Sequence, residues 1–284
     1  MLSALARHWP FANGAGRLVE RLGGGIALGE GVRDCRTSDG VTLRVLADDL
    51  IGRHLILSGQ FEASLFRMLL DFAEPGDRFL DLGAHVGYLS TMVLARVPGS
   101  QVLAVEPQPD IGALLRNNLG QFPAHRWTIL AAALSDREGE GLIAVNPANR
   151  GGATLVGQAS AATTAVALLD AGRVLGALDR LDLVKIDIEG HEETVLRASA
   201  EAIARLQPRA ILFEDYLGKA APDAPIGRIL TECGYAMFAV RKHLLRNSLK
   251  PLAAGDRPAG RDFVALSRSR ALPEGARRKY GLSP

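Results

Sequence analysis

Only two cysteines occur in 284 residues, Cys35 and Cys233, and they lie far apart with no metal-ligand spacing around them. This excludes a disulfide framework and a cysteine-based zinc site, and leaves packed thiols in a reduced compartment as the simplest reading. No apolar run approaches the roughly 20 residues that span a bilayer. The N-terminus also lacks the basic start, long apolar stretch and small-residue cleavage site of a secretory signal. A soluble, cytoplasmic protein is the expectation. There is no excess of charge either: 33 basic against 31 acidic residues give a net +2, so composition supplies no general reason to expect nucleic acid as a partner. Internal repeats and low-complexity tracts are likewise missing.

A chain of this length suffices for one α/β domain that buries roughly 75% of its unfolded surface. Residues 1–40 read as an accessory helix, Met1 to Leu22, and a linker broken by Gly23-Gly24-Gly25 and Gly29. Residues 41–270 form the main domain. Residues 271–284, with Arg277, Arg278 and Lys279, read as a solvated basic tail. Within the main domain strands and helices alternate, which predicts a parallel sheet covered by helices on both faces. Its strands are Arg78–Leu82, Gln101–Val105, Thr128–Leu134, Leu183–Ile188 and Ala210–Phe213, followed by Tyr235–Val240 and Asp262–Ser267 as an edge pair joined by a long polar loop. The stretch from 137 to 165 reads as irregular.

The turn Asp81-Leu82-Gly83-Ala84-His85-Val86-Gly87 lacks the third close-set glycine of a dinucleotide fingerprint. Its glycines let backbone press against a ligand at a helix start. An acid two residues before the first glycine repels a phosphate and suits a cationic amine, such as that of the methionyl part of S-adenosylmethionine. Glu106 follows nineteen residues after Gly87, at a strand end from which a carboxylate accepts from ribose hydroxyls. Further acids close the later strands: Asp187 and Glu189, then Glu214 and Asp215. Carboxylates at so many strand ends point to one ligand site along the carboxyl edge of the sheet.

Together with Val105-Glu106-Pro107, Ala133-Leu134-Ser135-Asp136, Leu169-Asp170 and Val184-Lys185-Ile186-Asp187-Ile188-Glu189-Gly190-His191-Glu192, this turn resembles the FkbM-type family of S-adenosylmethionine-dependent methyltransferases. The resemblance covers roughly residues 58 to 215, and Lys-Ile-Asp-x-Glu-Gly is its specific part. It implies a Rossmann-like class I α/β sheet of order 3-2-1-4-5-7-6 with strand 7 antiparallel. It also implies that Asp81, Gly83 and Gly87 surround the methionyl part, Glu106 the ribose, and Ala133, Ser135 and Asp136 the adenine; Ala84 belongs to the same cofactor-binding turn, and His85, in place of the asparagine often found there, is a hydrogen-bond contact to cofactor or substrate. Glu62 matches an acid of the family that closes over the cofactor.

Methyl transfer to an alcohol requires alignment of the two partners and removal of a proton. Asp187, Glu189 and His191 are the candidate catalytic residues, all on one loop. Asp187 with Glu214 and Asp215 resembles the acid placement of divalent-metal O-methyltransferases, and magnesium favours such oxygen ligands. Lys185 reads as a partner for a nearby acid, and Tyr216 as a substrate contact. The resulting expectation is O-methylation of a hydroxyl on a small molecule or sugar. The rivals are an NAD-linked oxidoreductase and a non-catalytic nucleic-acid-binding protein on the same fold. The acceptor pocket falls to the first 60 residues, 137–165 and 241–260, which carry no readable motif. The oligomeric state stays open.

Overall fold

The computed structural model describes residues 2–9, 11, 13–23, 26–160, 162–258 and 260–282. Met1, Pro10 and Ala12 of the expected first helix, Gly24 and Gly25 of the expected breaker, and Ser283 and Pro284 of the expected tail lie outside them. Fourteen strands are present among these residues: β1 (Val32–Arg36), β2 (Thr42–Leu46), β3 (Arg78–Leu82), β4 (Gln101–Val105), β5 (Trp127–Leu130), β6 (Ala133–Ser135) and β7 (Gly139–Asn146), then β8 (Asn149–Val156), β9 (Thr163–Asp170), β10 (Leu183–Ile186), β11 (Ala210–Glu214), β12 (Tyr235–Lys242), β13 (Asn247–Pro251) and β14 (Asp262–Ser267).

The central sheet has the order β13-β12-β14-β11-β10-β3-β4-β5. The pairs from β5 to β11 are parallel, and β14 runs antiparallel to both β11 and β12. Strand β13, formed within the polar loop between β12 and β14, extends the edge by one more antiparallel strand. The parallel strands bury both faces, as alternate residues show. Leu80, Leu82, Val184 and Ile186 pack with helices Glu192–Ala198 and Ala200–Leu206 on one side. Phe79, Val102, Ala104 and Leu183 pack with helices Ala63–Phe72 and Tyr88–Arg96 on the other. Asp81 and Lys185 fall on this second face and are paired neighbours in the register of β3 and β10.

Charges buried at the opposite, amino edge have a structural role. Arg209 precedes β11 and reaches Asp77 and Glu74, while Arg180 and Arg270 reach Asp182. This knot ties the entry points of β3, β10 and β11 together.

The stretch from 137 to 165 is not irregular. It forms β7, β8 and part of β9, which with β6 make a four-stranded sheet of order β6-β9-β7-β8. The expected third strand divides accordingly: β5 stays in the central sheet, and β6 leaves it to pair with β9. Small and polar residues, Gly151, Gly152 and Asn149 among them, hide this hairpin's alternation. The basic tail is also ordered. Helix Glu274–Tyr280 lays Tyr280 on Phe72, with ring centroids 5.6 Å apart, and both Lys279 and Tyr280 reach Asp71 at 2.6 Å.

The first segment forms two helices, Leu2–Arg7 and Ala15–Gly23. Ala6 and Val19 pack against Leu57, and Arg7 donates to the carbonyls of Arg36 and Ile56. A boundary at residue 40 falls inside the antiparallel β1–β2 hairpin. Cys35 and Cys233 are both buried and unlinked. Among the described residues no helix is long and apolar enough to cross a membrane.

Candidate active site

The carboxyl ends of β3, β4, β10 and β11 open into a cavity of about 320 Å³, at the small end of the roughly 300–1,000 Å³ common for small-molecule sites. Its inner wall is the glycine turn. The amides of Gly83 and Ala84 both donate to the carbonyl of Val105, so the chain turns sharply across the top of β4. Gly83 adopts φ +78°, and a Cβ there would stand 1.9 Å from the carbonyl oxygen of Asp187. Backbone from two strand ends meets at this point, so only glycine fits.

Asp81 is buried at the end of β3. Its Oδ2 accepts from Ser90 Oγ at 2.6 Å, and its Oδ1 is buried without a hydrogen-bond partner. Burial raises its pKa, opposed by the nearby Lys185 ammonium. An acceptor oxygen in this state favours a cationic donor from the cavity. Glu106 is also buried, and its two oxygens accept from the amides of His85 and Gln108, both at 2.9 Å. Burial pushes its pKa up to about 7. The carboxylate therefore braces the turn as well as lining the cavity.

His85 sits in the left-handed region with φ 51° and is buried. Neither ring nitrogen has a hydrogen-bond partner, and Nε2 lies 3.8 Å from Asp49 Oδ2. Burial lowers its pKa, which keeps the imidazole neutral near pH 7. Asp49 begins helix Leu50–Ser58, where Oδ2 accepts from the amides of Ile51 and Gly52. Its Oδ1 takes the amide of Arg150 from β8 at 2.8 Å.

A second set of acids faces the first. Lys185 Nζ bonds Asp187 Oδ2 at 2.9 Å. Burial alone would lower the ammonium's pKa, but Asp187, Asp81 and Glu62 together hold it above its ordinary value. One oxygen each of Glu62, Asp187 and Glu214 lies within 4.8 Å of the others. Burial, then the proximity of Glu214 and Asp187, raises the pKa of Glu62. Glu214 accepts from Tyr216 at 2.6 Å, and the Arg261 guanidinium lies 4.8 Å from the centre of the Tyr216 ring.

Glu189 is half-buried on the loop after β10 with φ 49°, and burial with the charge of Asp187 pushes its pKa up to about 7. The loop is fixed from below, where Glu192 accepts from the amides of Ile188 and Gly190. His191 Nε2 is 3.1 Å from Ser135 Oγ, and burial lowers its pKa.

Most of the sequence-derived residues converge. Glu62, Asp81, Gly83, Ala84, His85, Glu106, Ala133, Asp187, Glu189, His191, Glu214 and Tyr216 line the cavity. Gly87 caps helix Tyr88–Arg96 just behind it. Three residues do not take their expected places. Ser135 is buried behind the wall on His191, and Asp136 is exposed outside it. Asp215 accepts from the amides of Leu217 and Lys219, which makes it a turn brace rather than a neighbour of Asp187. Glu62 occupies the position in the acid cluster expected of Asp215.

Several wall residues carried no sequence signal. Leu50 and Ile51, Asn149, Gly151, Ala153 and Leu155, and Arg261 complete the cavity. The β7–β8 hairpin is held over it by Leu50 N to the carbonyl of Ala148, by Gln108 Nε2 to that of Arg150, and by Thr154 Oγ1 to that of Glu189.

A curated relative, the hexuronic acid methyltransferase AglP of Haloferax volcanii, is 28% identical over 144 residues, which are 50% of this chain and 58% of that protein. The match thus spans just over half of the relative's length. Among solved structures, an S-adenosylmethionine-dependent O-methyltransferase of Thermotoga maritima is 16% identical, with 86% of this chain and 80% of that one covered at a TM-score of 0.43. A TehB-like methyltransferase of Corynebacterium glutamicum is 14% identical over 76% and 92% of the two chains, also at 0.43. The methyltransferase FkbM domain matches residues 81–237. Since that match spans more than half of the sequence, from the Asp81 turn through both acid-bearing strand ends, the chain belongs to the FkbM methyltransferase family.

Proposed function

We propose that this chain is an S-adenosylmethionine-dependent methyltransferase acting on a hydroxyl oxygen of a carbohydrate or other small polyhydroxylated acceptor. The observation that carries the reading is the buried Asp81 with an unpartnered oxygen on the cavity wall, opposite a separate group of acids at the ends of β10 and β11. The relative AglP, named for a sugar acid, supports the acceptor class.

When bound, S-adenosylmethionine supplies an electrophilic methyl group on a sulfonium. Asp81 would hold the amine, Glu106 would offer the outer lone pairs of its oxygens to the ribose, and Ala133 with Leu134 would flank the base. Phe61, Leu65 and Phe66 keep one wall apolar. This arrangement limits water and strengthens the electrostatics inside. Glu189, with a pKa of about 7, takes the acceptor's proton. Lys185 fixes Asp187 beside it and balances the charge of the cluster. With its proton on Glu189, the acceptor oxygen would be free to take the methyl group from the bound donor, and the products would be a methyl ether and the demethylated donor.

The three clustered oxygens of Glu62, Asp187 and Glu214 favour a second reading, in which magnesium lowers the pKa of the acceptor hydroxyl. Incubation with labelled methyl donor and a panel of neutral and uronic sugars tests both. Transfer that survives chelation supports the base reading, and transfer restored only by magnesium supports the metal. Stabilisation by NADH but not by S-adenosylmethionine or its demethylated product would overturn both.

A further inference from the structure

The β12–β13 hairpin turns through Arg241-Lys242-His243-Leu244-Leu245-Arg246, a run with four basic or imidazole side chains and no acid. The strand pairings place its tip. Ala239 and Phe213 both pair with Phe263, so Ala239 stands level with a residue of the cavity wall. Strand β12 runs on for three more residues to Lys242, about 10 Å past that level at about 3.3 Å per residue, and the turn over 243–246 follows it. Asn13 anchors it by donating to the carbonyls of Leu244 and His243, and Asn247 ties it to the carbonyl of Ser64, beside Glu62.

At this tip Leu244 is 52% and Leu245 72% exposed. Leu217, on the loop that follows β11, is 65% exposed, and Leu50 and Tyr216 at the cavity rim are also exposed. Five of the nine large hydrophobic side chains exposed among the described residues therefore belong to the hairpin tip, the loop after β11 and the cavity rim, all at the carboxyl edge of the sheet on which the cavity opens. Lys242 is paired with Asp262, whereas neither Arg241 nor Arg246 meets a carboxylate among the described residues.

Exposed leucines flanked by unpaired arginines match an interface that is apolar within and anionic at its surface. A nucleic acid would use the arginines but give the leucines nothing. We propose that the 241–246 tip and the adjoining edge dock on an anionic lipid surface. Docking itself does not depend on the methyltransferase reading. Its consequence does: the cavity mouth is then presented to an acceptor held at that surface.

Sedimentation of the full chain with phosphatidylcholine vesicles, with or without phosphatidylglycerol, tests this. The expected result is binding that needs the anionic lipid and weakens with salt. In the double variant L244S/L245S it falls by about tenfold per leucine, with unchanged melting temperature and unchanged affinity for S-adenosylmethionine. R241Q/R246Q should remove the preference for phosphatidylglycerol. No sedimentation, equal sedimentation with both vesicles, indifference to the leucine pair, or salt-sensitive binding to RNA without vesicle binding would each overturn the proposal. Because cofactor affinity is read separately, failure of docking and failure of the methyltransferase reading give different results.

Discussion

Replacing Asp81 by asparagine changes one buried atom and one charge. The new amide keeps an oxygen for Ser90 Oγ, which lies 2.6 Å from Asp81 Oδ2. What is lost is the anion facing the cavity through the unpartnered Oδ1. Removing one member of a buried ionic contact costs about 3–5 kcal/mol. Lys185, the lateral neighbour of Asp81, already meets part of this charge and places the loss at the lower end. At about 1.4 kcal/mol per decade, the Kd for S-adenosylmethionine should rise by roughly 100-fold. The fold should not suffer, since burial disfavours the charged carboxylate and the variant has none. Calorimetric titration with S-adenosylmethionine and its demethylated product, alongside thermal unfolding, reads both quantities. A Kd within about threefold of the parent, at an unchanged melting temperature, would refute the assignment of Asp81 to the amine.

Glu189 has its pKa pushed up to about 7, so the transfer rate should climb with pH and level off above that value, and Glu189→Gln should flatten the profile as well as lower the rate. The pKa of Glu106 is also raised to about 7, so the folded state binds a proton that the unfolded chain releases near pH 4.5. This contribution to stability is full below pH 4.5 and lost as pH rises towards 7, a downward slope in unfolding free energy that denaturant titrations at several pH values can measure. Gly83→Ala drives a Cβ into the carbonyl of Asp187 and should cost at least about 2 kcal/mol in chemical denaturation. Arg209→Met leaves Asp77 buried without its main partner and should cost about 3–5 kcal/mol while sparing cofactor affinity in the protein that still folds.

How much of this was legible before the structure depended on whether a residue's role was local. Asp81, Gly83 and Gly87 follow one another on a strand, turn and helix, and their spacing carries the chemistry directly. Asp187 and Glu214 were legible as strand ends, because a parallel sheet brings those ends to one edge. Asp215 misled for the same reason: adjacency to Glu214 in sequence says nothing about orientation, and alternate residues leave a strand in opposite directions. Asp49 gave no signal. Its three hydrogen bonds join a helix start to Arg150, a hundred positions later, and only the folded chain makes that neighbour. The β7–β8 hairpin was missed because glycine and asparagine interrupt its alternation, although backbone pairing with β9 fixes it firmly.

Gly151 lies where that hairpin packs on helix Leu50–Ser58, and an added Cβ there would come 2.8 Å from Ile51 Cδ1. Both residues form the cavity wall. The close seating of the hairpin on that helix therefore leaves room at this point for hydrogen alone. A larger side chain there would have to push Ile51 aside and would reshape this part of the cavity wall.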